Sequence, residues 1–206
     1  MAKDITIREI TVQDVPVVAV LHTEGIKAGF ISSLGIDFVT ALYQAIADSK
    51  SSFGFVAEEE ERVLGFVAFT TNINKLYKSV IAKSGPKFAF LLAGKMFSIK
   101  RIKKVLETLF YPNRIKKMGL PSAELLSIVV VPEERGRGLA AQLLQKGSQE
   151  CVNRQIDKVK VLVGAGNKPA NKLYLKCGFE LVGQIKNHGI MSNLYIAQTG
   201  ATEVKK

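Results

Sequence analysis

The residues Arg135-Gly136-Arg137-Gly138-Leu139-Ala140 have types and an order that suit them to chemistry on an anion. They follow an apolar, β-branched run, Ser127 to Val131, that reads as a strand buried on both faces. They precede Leu139, Leu143, Leu144 and Gly147, whose spacing predicts a helix beginning near Gly138. Glycines 136 and 138 let main-chain N–H groups approach a ligand closely. The N-terminus of the helix carries partial positive charge. Together these features make a site suited to a phosphate. The side chains of Arg135 and Arg137 either add charge-assisted contacts to that anion or lie as solvated surface arginines.

Three phosphate ligands compete. A P-loop needs a longer loop ending in Gly-Lys-Ser/Thr, and none follows Gly138. Gly136-x-Gly138-x-x-Ala141 satisfies a loose dinucleotide fingerprint, but that motif belongs to an early βαβ unit with an acid at the end of the next strand. Here the next strand is Val159 to Val163, Asp157 lies before it, and too little chain remains for a doubly wound sheet. The third possibility is carried by a second block, Asn167-Lys-Pro-Ala-Asn-Lys-Leu-Tyr174-Leu-Lys-Cys-Gly-Phe179. Asn167 caps a helix there, Pro169 fits its first turn and Gly178 its C′ position.

Arg135-x-x-Gly138-x-Ala140 after a Val-rich strand resembles the acyl-CoA pyrophosphate loop of the GNAT acetyltransferase superfamily. The second block is similar to that family's N-x-x-A-x-x-L-Y-x-x-x-G-F signature and falls about thirty residues downstream, where the family has it. The resemblance covers roughly residues 123 to 180, and the N-terminal half matches more loosely. It implies an α/β (mixed α+β) fold: a twisted mixed sheet of about seven strands flanked by helices. It also implies an N-acetyltransferase that moves the acetyl group of acetyl-CoA, its cosubstrate, to a primary amine of a small molecule or peptide by direct attack in a ternary complex, without a metal.

In that scheme the main chain of Gly136, Arg137, Gly138, Leu139 and Ala140, with Arg135, cradles the pyrophosphate. Strand 127–131 splays from strand 159–164, and pantetheine inserts like an extra strand against the main chain of Ile128, Val129 and Val130. An N–H there polarises the thioester carbonyl, an oxyanion-hole role. Tyr174 is the expected general acid, since a phenol is a suitable proton donor to a leaving thiolate. Asn167 combines capping with a bond to the cofactor. Glu124, entering the fourth strand, either takes the amine proton through water or is a surface glutamate at a strand edge. His22 and His188 are weaker candidates for the base. Two alternatives stay open: a catalytically silent acyl-CoA-binding or regulatory module, and an enzyme for a longer acyl chain lined by residues 88–97.

The elements that must hold these groups follow from pattern and punctuation. Ile5, Ile7 and Ile10 mark a first strand, and Thr11 to Asp14 start a helix that runs to Gly29. A second helix runs from Gly35 or Ile36 to Ala47, and Phe53 to Ala57 and Val63 to Thr70 form a hairpin around a solvated turn of four glutamates. Phe179 to Ile185 and Ile190 to Ile196 close the sheet as a second hairpin. Residues 1–197 form one domain, and 198–206 are a frayed tail.

At 206 residues and 47% hydrophobic, the chain can bury a full core. It shows no secretory leader at MAKDITIREI, and no apolar stretch long enough to span a bilayer. Cys151 and Cys177 read as buried thiols of a reducing compartment, with the cytoplasm as the default address. No metal-ligand spacing appears. The formal charge of +11 is localised: residues 72–118 hold twelve Lys and Arg against Glu107 alone, an excess equal to that of the whole chain. This segment reads as a helical insertion between the third and fourth strands. It is a solvated cover, a lid whose positive field draws an anionic acceptor, or a peripheral membrane contact through 88–105. Nucleic acid is the least supported partner, because no recognition motif accompanies the charge. The oligomeric state is not legible.

Overall fold

The computed structural model describes residues 4–27, 29–80, 82, 118–187 and 189–201. In chain order these form β1 (Thr6–Glu9), α1 (Val15–Gly25), α2 (Phe30–Ser33), α3 (Ile36–Ala47), β2 (Ser52–Glu59) and β3 (Arg62–Thr70). A helix over 73–80, α4, follows. Then come β4 (Glu124–Val130), α5 (Leu139–Asn153), β5 (Lys158–Gly164), α6 (Lys168–Lys176), β6 (Glu180–Asn187) and β7 (Ile190–Gln198). The seven strands form one sheet in the order β1-β2-β3-β4-β5-β7-β6. Every neighbouring pair is antiparallel except β4 and β5, which run parallel.

Each face of the sheet carries its own helices, as alternating strands require. On one face Val18 and Ala19 of α1 and Val39, Leu42 and Ile46 of α3 pack on Val56, Phe66 and Val129. On the other, Leu139, Leu143 and Leu144 of α5 and Tyr174 of α6 pack on Phe55, Phe69, Val130 and Val161. Gly147 lets α5 lie directly on β3, because a Cβ there would stand 2.2 Å from Phe69 Cε2. That docking brings the start of α5 to the end of β4.

The structure departs from the sequence reading in three places. The first helix stops at Gly25 rather than Gly29. There the helix end meets β4, and a Cβ on Gly25 would fall 2.5 Å from Val129 Cγ1. The chain then makes the short helix α2, which the apolar pattern did not separate. The solvated turn of glutamates is partly an ion-pair site, since Arg8 pairs with both Glu58 and Asp14. The tail does not fray at 198: β7 runs to Gln198, Thr199 N–H donates to Asp157 O at 3.0 Å, and its hydroxyl donates to Ile156 O. In the basic insertion, α4 buries Ile73, Leu76 and Val80. Residues 83–117, with the whole of the 88–105 stretch, lie outside the described residues, as do His188 and 202–206.

Candidate active site

The site begins where β4 leaves β5. The two strands pair at Glu124 with Lys160 and at Leu125 with Val161, and among the described residues no further register partner joins them. At the same place β4 carries a bulge against β3, with Phe69 opposite Leu125 and Ala68 opposite Ser127, so Leu126 has no partner across the ladder. A bulge bends its strand, here away from β5. β5 meanwhile stays paired to β7 through Gly164 and Ser192. The inner edges of both strands therefore open as a cleft lined with main-chain donors and acceptors. Buried main-chain groups seek partners, and an extended chain bearing amides would supply them. This is the splay that the family resemblance implied, with the edge beside Ile128, Val129 and Val130.

At the open end of the cleft lies the glycine loop. Val131 N–H donates to Leu64 O at 2.8 Å, and Pro132–Glu134 turn once as a 3-10 helix. Arg135 then folds back, its Nε donating to the carbonyl of Val130 at 3.0 Å. Gly136 and Gly138 take φ of +81° and +85°, a left-handed conformation that side chains with a Cβ resist. A Cβ at either would meet nothing within 4 Å, so conformation rather than packing calls for glycine. The first helical bonds of α5 come from the Ala141 and Gln142 amides to Gly138 O. Among the described residues the N–H groups of Gly136, Arg137, Gly138, Leu139 and Ala140 have no protein acceptor. Five free amides at the start of a 15-residue helix make a concave anion site. Of the two arginines, Arg137 pairs with Glu134 and is 64% exposed, whereas Arg135 ties the loop to the strand end.

The second block builds α6. Asn167 Oδ1 accepts from Ala170 N–H at 3.3 Å and caps the helix, with Pro169 in its first turn. The far end closes as a Schellman motif: Phe179 N–H donates to Tyr174 O at 2.9 Å and Gly178 N–H to Leu175 O at 3.2 Å, with Gly178 at φ +80°. The spacing Tyr-x-x-x-Gly-Phe is thus a helix stop that sets the Tyr174 ring 5.4 Å from that of Phe179. Tyr195 contributes a third ring 6.0 Å from Tyr174, and its hydroxyl donates to Asn171 Oδ1 at 2.7 Å. Burial, and then the nearby Cys177, push the Tyr174 phenol well above its ordinary range, so it holds its proton at neutral pH. Cys151 and Cys177 are free and buried, the former pushed up to about 12 by burial, which keeps both thiols neutral and unreactive.

Glu124 stands at the closed end of the cleft and is not a surface glutamate. It is 7% exposed and forms an ion pair with Lys160 at 3.3 Å. Lys160, itself 1% exposed, also donates to Pro121 O at 2.6 Å. Strand alternation places both on the face opposite Leu125, Val159 and Val161, which is the face covered by α1 and α3. Sequence reasoning missed Lys160, because a lysine within a valine run reads as solvent-facing. It also missed Ser127 and Tyr43, a hydroxyl and a phenol in positions that apolar periodicity assigns to the core. Tyr43 Oη lies 2.6 Å from Ser127 Oγ and 2.8 Å from His22 Nδ1. Burial pushes the His22 imidazole down to about 4, so it is neutral at physiological pH.

The loop 135–140 follows directly on the β4 edge at 128–130, Asn167 starts the helix that carries the buried Tyr174 in the core on one sheet face, and Glu124 lies where β4 and β5 still pair. Among the described residues no cluster of His, Cys, Asp and Glu has the makings of a metal site, and no helix is long and apolar enough to cross a membrane.

Residues 27–179 match the model of the Acetyltransferase (GNAT) family. A streptothricin acetyltransferase of Escherichia coli is 36% identical over 61 residues, 30% of this chain and 35% of that protein. An L-amino acid N-acetyltransferase of Escherichia coli is 32% identical over 63 residues, 30% of this chain and 39% of that protein. The match thus spans little more than a third of each of these two relatives. Among solved structures, an N-acetyltransferase from Staphylococcus aureus superposes with a TM-score of 0.61 at 19% identity, covering 95% of this chain and 99% of that one.

Proposed function

The chain belongs to the GNAT acetyltransferase family, and from that premise we propose that it transfers the acetyl group of acetyl-CoA to a primary amine of a small molecule or peptide. One observation carries this reading: among the described residues, five unpaired amides at Gly136–Ala140 follow a strand edge, Leu126–Val130, that has no register partner on β5. A diphosphate fits the first feature and an amide-bearing arm the second. Five residues of strand at about 3.3 Å each give that arm a path of roughly 17 Å.

Acetyl-CoA brings an activated acyl group and a thiolate that leaves. The protein does the rest. Main-chain groups of Ile128, Val129 and Val130 pair with the arm and orient the thioester, and an N–H there stabilises the developing oxyanion. Tyr174, protonated at neutral pH, delivers a proton to the departing sulfur. Glu124 accepts the amine proton through water from the opposite face. The positive field of residues 72–118, of which Lys75 and Lys78 are exposed on α4, suits an anionic acceptor. The two buried free thiols support a reducing compartment such as the cytoplasm.

The test is to incubate the protein with acetyl-CoA and a panel of amines while following free thiol, alongside calorimetric titration with CoA. Thiol release that depends on one amine class supports the enzyme. Tight CoA binding without release assigns a silent binding module, and no heat on titration removes the proposal.

A further inference from the structure

One buried polar line in this molecule has no part in the scheme above. It runs from His22 on α1, through Tyr43 on α3, to Ser127 on β4. All three residues are buried, Tyr43 completely, and their surroundings are apolar: Val39, Leu42, Ile46, Phe66 and Val129. His22 stacks on Phe66 at 6.5 Å and meets Tyr43 edge-on at 5.6 Å, and Tyr43 meets Phe66 edge-on at 5.2 Å. Among the described residues the buried Nε2 of His22 has no hydrogen-bond partner. A phenylalanine, a leucine and an alanine would fill these places without burying four polar atoms, and a buried polar group without full satisfaction is costly. Packing alone therefore does not account for the line.

Its position does. Ser127 is opposite Ala68, immediately past the bulge that leaves Leu126 unmatched, and two residues beyond the last pairing of β4 with β5 at Leu125. On its β5 side nothing in the ladder fixes the strand from there onward. The α1 and α3 layer supplies the missing anchor: the Ser127 hydroxyl is held by Tyr43, Tyr43 by His22, and one turn later Gly25 brings α1 against Val129. Three elements distant in sequence thus converge on the point where the strand bends.

Resting on the acyl-transfer reading, we propose that Ser127, Tyr43 and His22 are positioning residues. They fix the direction of β4 at the splay, and through it the main-chain groups of Ile128–Val130 that meet the thioester. None of the three touches the reacting atoms. Neutral His22 serves as a fixed hydrogen-bond partner for Tyr43, not as a proton carrier. Misplacement by about 1 Å costs on the order of a hundredfold in rate, so a line that defines the bend has large leverage.

The experiment uses acetyl-CoA labelled with ¹³C at the thioester carbonyl, bound to the full chain, and needs no knowledge of the acceptor. Bound to the wild type, the carbonyl resonance moves from its free position as an N–H polarises it. Tyr43→Phe and Ser127→Ala are expected to return it toward the free value and to broaden it, with the calorimetric affinity for CoA within about threefold of wild type. Both variants are first shown folded by circular dichroism. His22→Asn, which places an amide near the Nδ1 position, retains the wild-type resonance, whereas His22→Leu does not. Identical bound resonances in wild type, Tyr43→Phe and Ser127→Ala would overturn the proposal and leave the acyl-transfer reading standing, as would loss of the signal in His22→Asn alone. Absence of acetyl-CoA binding to the wild type overturns the acyl-transfer reading itself and the positioning role with it.

Discussion

The two ends of β4 differ although they are seven residues of one strand. At the foot, Glu124 and Leu125 pair with β5, and a carboxylate and an ammonium are buried side by side there. At the head, among the described residues, Ile128, Val129 and Val130 pair with β3 alone, and their side chains are aliphatic. In the proposed scheme the foot works through side chains and the head through main chain. A main-chain edge proposed to meet a ligand asks little of the residue types along it and much of what bends and caps it: the bulge at Leu126 and the glycines of the following loop.

That contrast can be broken at either end. The largest expected effect is at the foot. Lys160→Met removes the cation beside Glu124 and the donor to Pro121 O, and should cost about 3 kcal/mol or more of unfolding free energy, seen as a lower urea midpoint. Next is Tyr174→Phe, which keeps the ring contacts with Phe179 and Tyr195 but removes the proton: turnover should fall roughly ten- to a thousandfold with CoA affinity unchanged. Wild-type turnover in that variant would take Tyr174 out of the mechanism.

A third effect comes from His22 beneath the bend. Its imidazole is held near 4 against an ordinary 6.5, so the folded state binds its proton more weakly than the unfolded chain. The stability this contributes is fully present above pH 6.5 and is lost as pH falls toward 4. The loss is on the order of 3 kcal/mol. Urea midpoints across that window should fall in the wild type and flatten in His22→Asn; equal slopes would show that His22 is not the group responsible. The smallest effect belongs to the head. Ile128→Val should cost about 1 kcal/mol or less in stability and leave turnover within about twofold, because the main chain there is unchanged. A large loss of turnover would show that the side chain contributes.

The donor side of this site was legible in sequence because its parts are local. The glycines at 136 and 138, the cap at 167 and the stop at 178 each answer to a backbone conformation within a few residues. The opposite side was not, because its contacts join residues far apart. Tyr43 and Ser127 are 84 positions apart, and Lys160 and Pro121 are 39. His22 falls at a helix position that also suits a core aliphatic, and nothing near it in sequence announces Tyr43. The bulge is equally hidden, since Leu126 continues an apolar run and only its neighbours on β3 reveal the extra residue. The splay follows from the family resemblance, whereas the place of Ser127 at the bend shows only where α3, β3 and β4 meet in the fold.

The central claim is that coenzyme A lies along the head of β4 with its diphosphate on the glycine loop. Mapping backbone amide resonances of the ¹⁵N-labelled protein on addition of CoA tests this residue by residue. The account predicts large changes at Gly136–Ala140 and at Leu126–Val130, with Glu124, Leu125 and the β1–β2 ladder little moved. Changes confined to other regions, or none at saturating CoA, would contradict it.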